Sequence, residues 1–382
     1  NLELLRTLSG SRDGSLLMED FYRWQRRRLD ILIEADGSPV GGTWNLDQEN
    51  RLPPPADGGD WPEAPLDPAD EVDREVSSLL DGLDLTGGPW TGIWATDRAG
   101  ALRRLEHFID AALPGFGPYE DAVVSHHRHL NHSMLSPYLN NGLLRPAEVV
   151  EAVVEAHRRG GIPLNSAEGV IRQIIGWREY IAGLYWWHDA DYIESNHFDN
   201  TLDVPAALLG GPTDMNCVSH VARWVAEDGW THHIPRLMVQ SNIASLLDVN
   251  PRELTDWFHA SFIDAFDWVV EPNVLGMGTY ALGDAMMTKP YVSGTPYINR
   301  MGDYCKSCSL DPKKTCPISS LYWAYLERHR SAFEGNFRMS MPLRTLSKRS
   351  ENKKINDRIL FESVYESLSA GRIWRPDGSQ TL

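Results

Sequence analysis

The chain has 382 residues, enough for one large domain or two ordinary ones, and its 42% hydrophobic content excludes a disordered polymer. It holds no run of about 18 apolar residues and no charged-then-apolar leader, so neither a membrane-spanning helix nor a signal peptide of that kind is expected from these residues. A formal net charge of −17 speaks against nucleic acid as a partner, yet residues 283–382 carry 16 Lys and Arg against 10 Asp and Glu, so this basic third contrasts with −23 over the preceding residues.

A basic C-terminal third suits a phosphate backbone, and equally an ordinary solvated face. Fourteen tryptophans are many for this length. Most belong in a core, but a flavin or nucleobase site also recruits such rings. The chain begins at Asn1 rather than Met and reads as a fragment or a processed product.

Taken in order, "LLMEDFYRWQRRRLDILI" predicts one short helix, and residues 36 to about 75 read as linker. They mix Gly, Pro and Asp without a period, and Pro53, Pro54 and Pro55 force an extended path. "RPAEVVEAVVEAHRRGG" predicts an amphipathic helix that opens at Pro146 and closes at Gly160 and Gly161, with Val149, Val150, Val153, Val154 and His157 on one face. "SAEGVIRQIIGWREYIAGLYWW" is apolar nearly all round apart from Arg172, Gln173, Arg178 and Glu179. It predicts a central buried helix whose few polar groups need partners.

In "GWTHHIPRLMVQSNIAS", Pro235 fits the first turn of a helix that starts near Thr231 or His232. Two adjacent imidazoles at a helix mouth can give or take a proton near neutrality; they can equally be partly buried helix-start residues. Asn250 caps, and Pro251 opens, the helix of "NPRELTDWFHASFIDAFDWVV". Strand signals are sparse and no repeat recurs at a fixed spacing, so the fold class is all-α.

The cysteines of "YCKSCSLDPKKTCP", Cys305, Cys308 and Cys316, form a C-x2-C-x7-C loop ending in proline, and Cys217 in "DMNCVSH" is the only other one. Three soft donors in one loop with a distant fourth suit a metal or a cluster, and a chain without secretory features makes disulfides the weaker alternative. Structural zinc usually takes two paired knuckles, and only one is present, so the spacing leans toward iron–sulfur.

"LNHSMLSPYLNNGLLRPAEVV" resembles the flavin-diphosphate motif of the photolyase and cryptochrome family. With "GWREYI", "FIDAFDWVVEPNVLGM", "GGTWNLDQENR" and the cysteine loop, residues 15 to 345 are similar to its bacterial iron–sulfur branch, the prokaryotic (6-4) photolyases. The resemblance implies a helical FAD-binding domain over 96–345, preceded by a residual interdomain helix and linker over 1–95 and followed by a basic extension over 346–382. It implies FAD held by Tyr119, His132, Ser133, Leu135, Ser136, Gln173, Arg178, Arg236, Asn242, Asp264, Glu271 and Asn273. Ser133 and Ser136 would start a helix whose free N–H groups face the diphosphate, and Asp264 would pair with Arg236.

By the same resemblance a 4Fe–4S cluster is held by Cys217, Cys305, Cys308 and Cys316. His233 is the acid that protonates the lesion, with His232 beside it. Met277 and Tyr291 line the pocket for the flipped-out photoproduct. Of the family's photoreduction relay only Trp257 is matched; Phe258 stands at the tyrosine and Leu209 at the outer tryptophan, so photoreduction is absent or takes another route. The antenna domain is expected to be missing, and with it the antenna chromophore. The implied partner is UV-damaged DNA, with no membrane, and the protein is expected to be a monomeric bacterial cytoplasmic enzyme. Two alternatives remain: a cryptochrome-type photoreceptor without repair, and a nucleic-acid-binding iron–sulfur module like that of the primase large subunit.

Overall fold

The structure is a computed structural model, which describes residues 17–83, 85, 87–188 and 190–378. It is predominantly helical, as the sequence predicts, and among the described residues extended pairing consists of isolated bridges such as Ile33 with Pro39 and Leu202 with Val249. Among the described residues no helix is long and apolar enough to cross a membrane. The chain divides into two compact units: the first runs to Trp187 and adds Val225–His232 and Ser261–Phe266, and the second holds the remainder.

In the first unit, the helix Met18–Leu29 buries Phe21, Tyr22, Gln25 and Arg26 and ends where Asp30 takes the left-handed region. Arg26 is fully buried, and its guanidinium donates to the carbonyls of Ile31, Leu32 and Trp44. A buried cation is thus satisfied by backbone oxygens that the following turn would otherwise leave unpaired.

The Pro- and Gly-rich stretch is extended, as its composition predicts, but it is anchored. Asn50 is buried and donates to Glu120 Oε2 at 2.9 Å, while Trp61 packs with Ala122, Val124 and Leu130.

The predicted helix Pro146–Arg158 buries its four valines, and His157 Nδ1 lies 2.7 Å from the Ile162 carbonyl just past the end. Residues 164–187 form the central helix, continuous but widened to i→i+5 turns over Arg172–Arg178. Gly117 lets the chain approach it closely, because a Cβ there would come within 2.7 Å of the Ser166 nitrogen.

In the second unit, Asn250 Oδ1 accepts from Arg252 N and caps the helix Pro251–Ser261, as expected. The helix Ile318–Arg328 buries Leu321, Ala324, Tyr325 and Leu326 and packs on the long helix Glu351–Ser369. Residues 346–378 therefore share the core of this unit, with Arg349 paired to Asp357 and lying 4.8 Å over Trp323. Asp248 joins this region too, accepting from Arg328 at 2.6 and 2.9 Å and lying 2.9 Å from His329 Nε2.

Candidate functional site

The hydroxyl-rich loop behaves differently at its two serines. Ser136 opens the short helix Ser136–Asn140, whereas Ser133 lies outside it and accepts from Leu135 N at 3.3 Å. Between them Met134 takes a positive φ of 54°, which turns the loop so that Leu135 enters the core. Ser136 Oγ donates to Asp264 Oδ2 at 2.7 Å and accepts from Trp230 Nε1 at 3.3 Å, while Asn140 donates to the Asp264 carbonyl. Asp264 is buried and secured from two sides.

His132 stacks on His232 with ring centroids 4.1 Å apart and planes 17° from parallel, and Phe116 meets His132 edge-on at 5.6 Å. His232 is only 3% exposed. The helix expected to open near Thr231 or His232 starts at His233, which is exposed. Stacking holds His232 back in the loop, so the following residue is the first to adopt helical geometry. Nearby, His129 Nε2 is 3.4 Å from Asp228 Oδ2, and Arg128 Nη1 donates to the same oxygen at 2.8 Å. Burial pushes the Asp228 carboxyl up, but its bonds to His129 and Arg128 outweigh that and hold it below its ordinary value.

Gln173 donates to Glu120 Oε1 at 2.7 Å, and Arg172 approaches Glu120, Glu168 and Asp47 at 3.3–3.4 Å. Glu168, a polar residue of the central helix that its near-continuous apolar pattern conceals, is 1% exposed and accepts from Tyr22 OH at 2.8 Å. Burial raises its pKa. Arg178 donates to Glu179 and to the Leu139 carbonyl, and Tyr119 lies edge-on to Trp61 at 5.2 Å.

In the second unit, Glu271 receives both its carboxylate bonds from Arg252 Nη1, at 2.9 and 3.0 Å, and Arg252 also pairs with Asp256. Asn273 donates to the Val269 carbonyl at 2.8 Å. The amide of Asn242 exchanges two hydrogen bonds with the backbone of Ser293 and so fixes the segment that carries Tyr291, itself 38% exposed. Gln173, Arg178, Arg236, Asn273 and Met277 all lie on widened helical turns, Arg172–Arg178, Pro235–Ser241 and Pro272–Gly278. Such turns displace side chains from the regular helical register and recur at functional sites.

Gln240, on the second of these turns, was not singled out by the sequence pattern. It is 1% exposed, and neither its amide nitrogen nor its oxygen has a partner. A buried amide with both functions unmet fits a group that offers a donor and an acceptor together, as a flavin or adenine ring does. Trp257 is half-buried with its ring 5.0 Å from buried Phe258, and Leu209 is 54% exposed.

The four cysteines are free thiols that line one cavity with Met215, Thr295, Ile298, Tyr304, Leu310 and Ile318. Cys217 stands in the first turn of the helix Asn216–Asp228. The Asp311 carboxylate accepts from the N–H groups of Lys313 and Lys314, and its carbonyl accepts from Cys316 N, so the loop folds back and returns Cys316 toward Cys305.

Cys308 Sγ lies 3.4 Å from the Asp214 carbonyl. No three of the four sulfurs lie within 4.8 Å of one another. Burial and the neighbouring thiols push Cys305 up to about 11 and Cys217 well above its ordinary value. Four soft donors gathered in one cavity fit a cationic group that would hold them as thiolates.

The family model of the deoxyribodipyrimidine photo-lyase-related proteins matches residues 6–85. A (6-4) photolyase of Agrobacterium fabrum is 41% identical over 345 residues, covering 88% of this chain and 68% of that protein. A deoxyribodipyrimidine photo-lyase of the same organism is 28% identical over 228 residues, 55% of this chain and 46% of that one. The crystal structure of a bacterial class III photolyase from Agrobacterium tumefaciens aligns with a TM-score of 0.45 at 18% identity, covering 97% of this chain and 82% of that one. At 41% identity along nearly the whole length of the sequence, the chain belongs to the photolyase and cryptochrome family.

Proposed function

We propose that this protein repairs (6-4) photoproducts in DNA under light, with FAD as the working cofactor and a structural 4Fe–4S cluster. The observation that carries the proposal is the pair His232 and His233. One imidazole is buried and stacked on the phosphate-loop His132, and the other is exposed at the start of a helix. A proton donor for the lesion needs access to DNA and a neighbour that fixes its backbone, and this pair supplies one of each. His233 is the proton donor in this reading, and His232 positions it.

Reduced FAD, when bound, would supply the light-driven electron. Ser133, Ser136 and His132 would hold its diphosphate, Arg178 and Arg236 would add positive charge, and Gln240 would meet a polar ring edge. Cys217, Cys305, Cys308 and Cys316 would hold the cluster. The single C-x2-C knuckle, with Cys316 after seven intervening residues and Cys217 distant in the chain, supports an iron–sulfur centre over a structural zinc.

The test is repair of lesion-containing duplex DNA by wild type and His233→Ala, together with absorption spectra and an iron assay. Flavin bands over a broad iron–sulfur shoulder, with repair lost in the variant, are the expected result. Equal repair by both proteins removes His233 from the mechanism. A colourless protein that retains no flavin on anaerobic reconstitution sinks the proposal as a whole.

A further inference from the structure

We infer that the Tyr304 hydroxyl donates a hydrogen bond to a sulfur of the iron–sulfur cluster and so helps to set its reduction potential. The inference rests on the cluster reading above. Tyr304 immediately precedes the ligand Cys305, is 1% exposed and lines the same cavity as all four thiols. Its hydroxyl is buried and has no hydrogen-bond partner. An unmade buried hydroxyl is costly, so its placement calls for an acceptor inside the cavity.

The other lining groups narrow the choice. Met215, Ile298, Leu310 and Ile318 are apolar, and the Thr295 hydroxyl is already shared with Ser319 Oγ at 2.9 Å. Among the side chains lining the cavity, the sulfurs are the acceptors left to a cluster-bound state. The ring is also held in place: His220 packs against it at 5.6 Å and Trp224 at 6.1 Å, and its carbonyl accepts from Asn216 Nδ2, the residue before Cys217. A phenol carries an O–H donor, so a sulfur can serve as its acceptor.

Hydrogen bonds to cluster sulfurs are one of the protein's means of tuning potential, because they favour the more negatively charged reduced state. Tyr304 is thus a positioning residue for the cluster rather than a ligand. Phenylalanine at this position would keep the packing and remove only the donor.

The experiment compares anaerobically purified wild type with Tyr304→Phe. Three quantities are read: iron and sulfide content, the midpoint potential of the cluster, and the shift of the Fe–S stretching bands in resonance Raman spectra on transfer to D2O. Expected are an unchanged iron and sulfide complement, a more negative potential in the variant, and a deuterium-sensitive shift present in wild type and absent from Tyr304→Phe. Full iron content with an unmoved potential and an identical deuterium response overturns the assignment while leaving the cluster reading intact. Wild type that holds zinc and no iron overturns both. Should the variant fail to fold, the wild-type spectra alone decide, since the absence of any deuterium sensitivity there also overturns it.

Discussion

At the scale of single residues, the two histidines of the helix mouth divide their work by burial. His232 is buried in the stack with His132, whereas His233 is exposed, so replacing them gives different phenotypes. His233→Ala should lower the single-turnover repair rate by about 10²–10⁴-fold, the usual range for losing a general acid, with bound flavin unchanged. His232→Ala should in addition loosen the loop and lower flavin retention, which the absorption ratio of flavin to protein measures.

Asp248 provides a second test at this scale. Burial pushes its carboxyl up, yet the bonds from His329 and Arg328 prevail and hold it below its ordinary value, as His129 and Arg128 do for Asp228. Carboxylates depressed in the folded state add stability that is fully present above the unfolded pKa of about 3.9 and is lost as pH falls through their folded values. Denaturant midpoints should therefore drop below about pH 4, and Asp248→Asn should flatten that drop while costing about 3 kcal/mol at pH 7, because Arg328 then keeps a partly buried charge without its carboxylate.

At the scale of elements, the amphipathic periods were readable. The helix Pro146–Arg158 buries the valines its spacing aligns, and Asn250 caps the helix its position announces. Widening of the helices was not readable. Pro235 and Pro272 mark the beginnings of their segments, but i→i+5 geometry depends on how neighbouring side chains press on the turn, which no local pattern encodes.

Glu168 illustrates the same limit, because a carboxylate is tolerated in the central helix only where Tyr22 and Arg172 approach from distant parts of the chain. Arg172→Met should cost about 3–5 kcal/mol in chemical denaturation, since Glu120 and Glu168 would lose their buried counter-charge. Adding Glu168→Gln should recover part of that loss. Equal destabilisation by the single and double variants would show that the buried ion pairs do not govern this packing.

At the scale of the whole molecule, charge is segregated along the chain, and the basic third presents exposed cations such as Lys313, Lys314, Arg338, Arg344 and Lys348. DNA affinity should fall steeply with salt. Paired Arg338→Ala and Arg344→Ala substitutions should weaken damaged and undamaged duplexes alike and flatten the slope of log K against log salt by about 1–2, as expected for contacts to phosphate. A loss confined to damaged DNA would instead place these side chains at the lesion.

The sequence by itself determined the helical class, the helix-opening prolines, the hydroxyl-rich loop and the identity of the four thiols, because these follow from local periods and from the chemistry of each side chain. Only the tertiary structure decided that Cys217 shares a cavity with a loop far along the chain, that Ser136 engages Asp264, that Gln240 and Tyr304 are buried with polar groups unmet, and that Glu271 is claimed by Arg252. The physical reason is that satisfaction of a buried polar group is a property of its surroundings. Those surroundings are assembled from segments whose separation along the chain carries no record of their proximity in space.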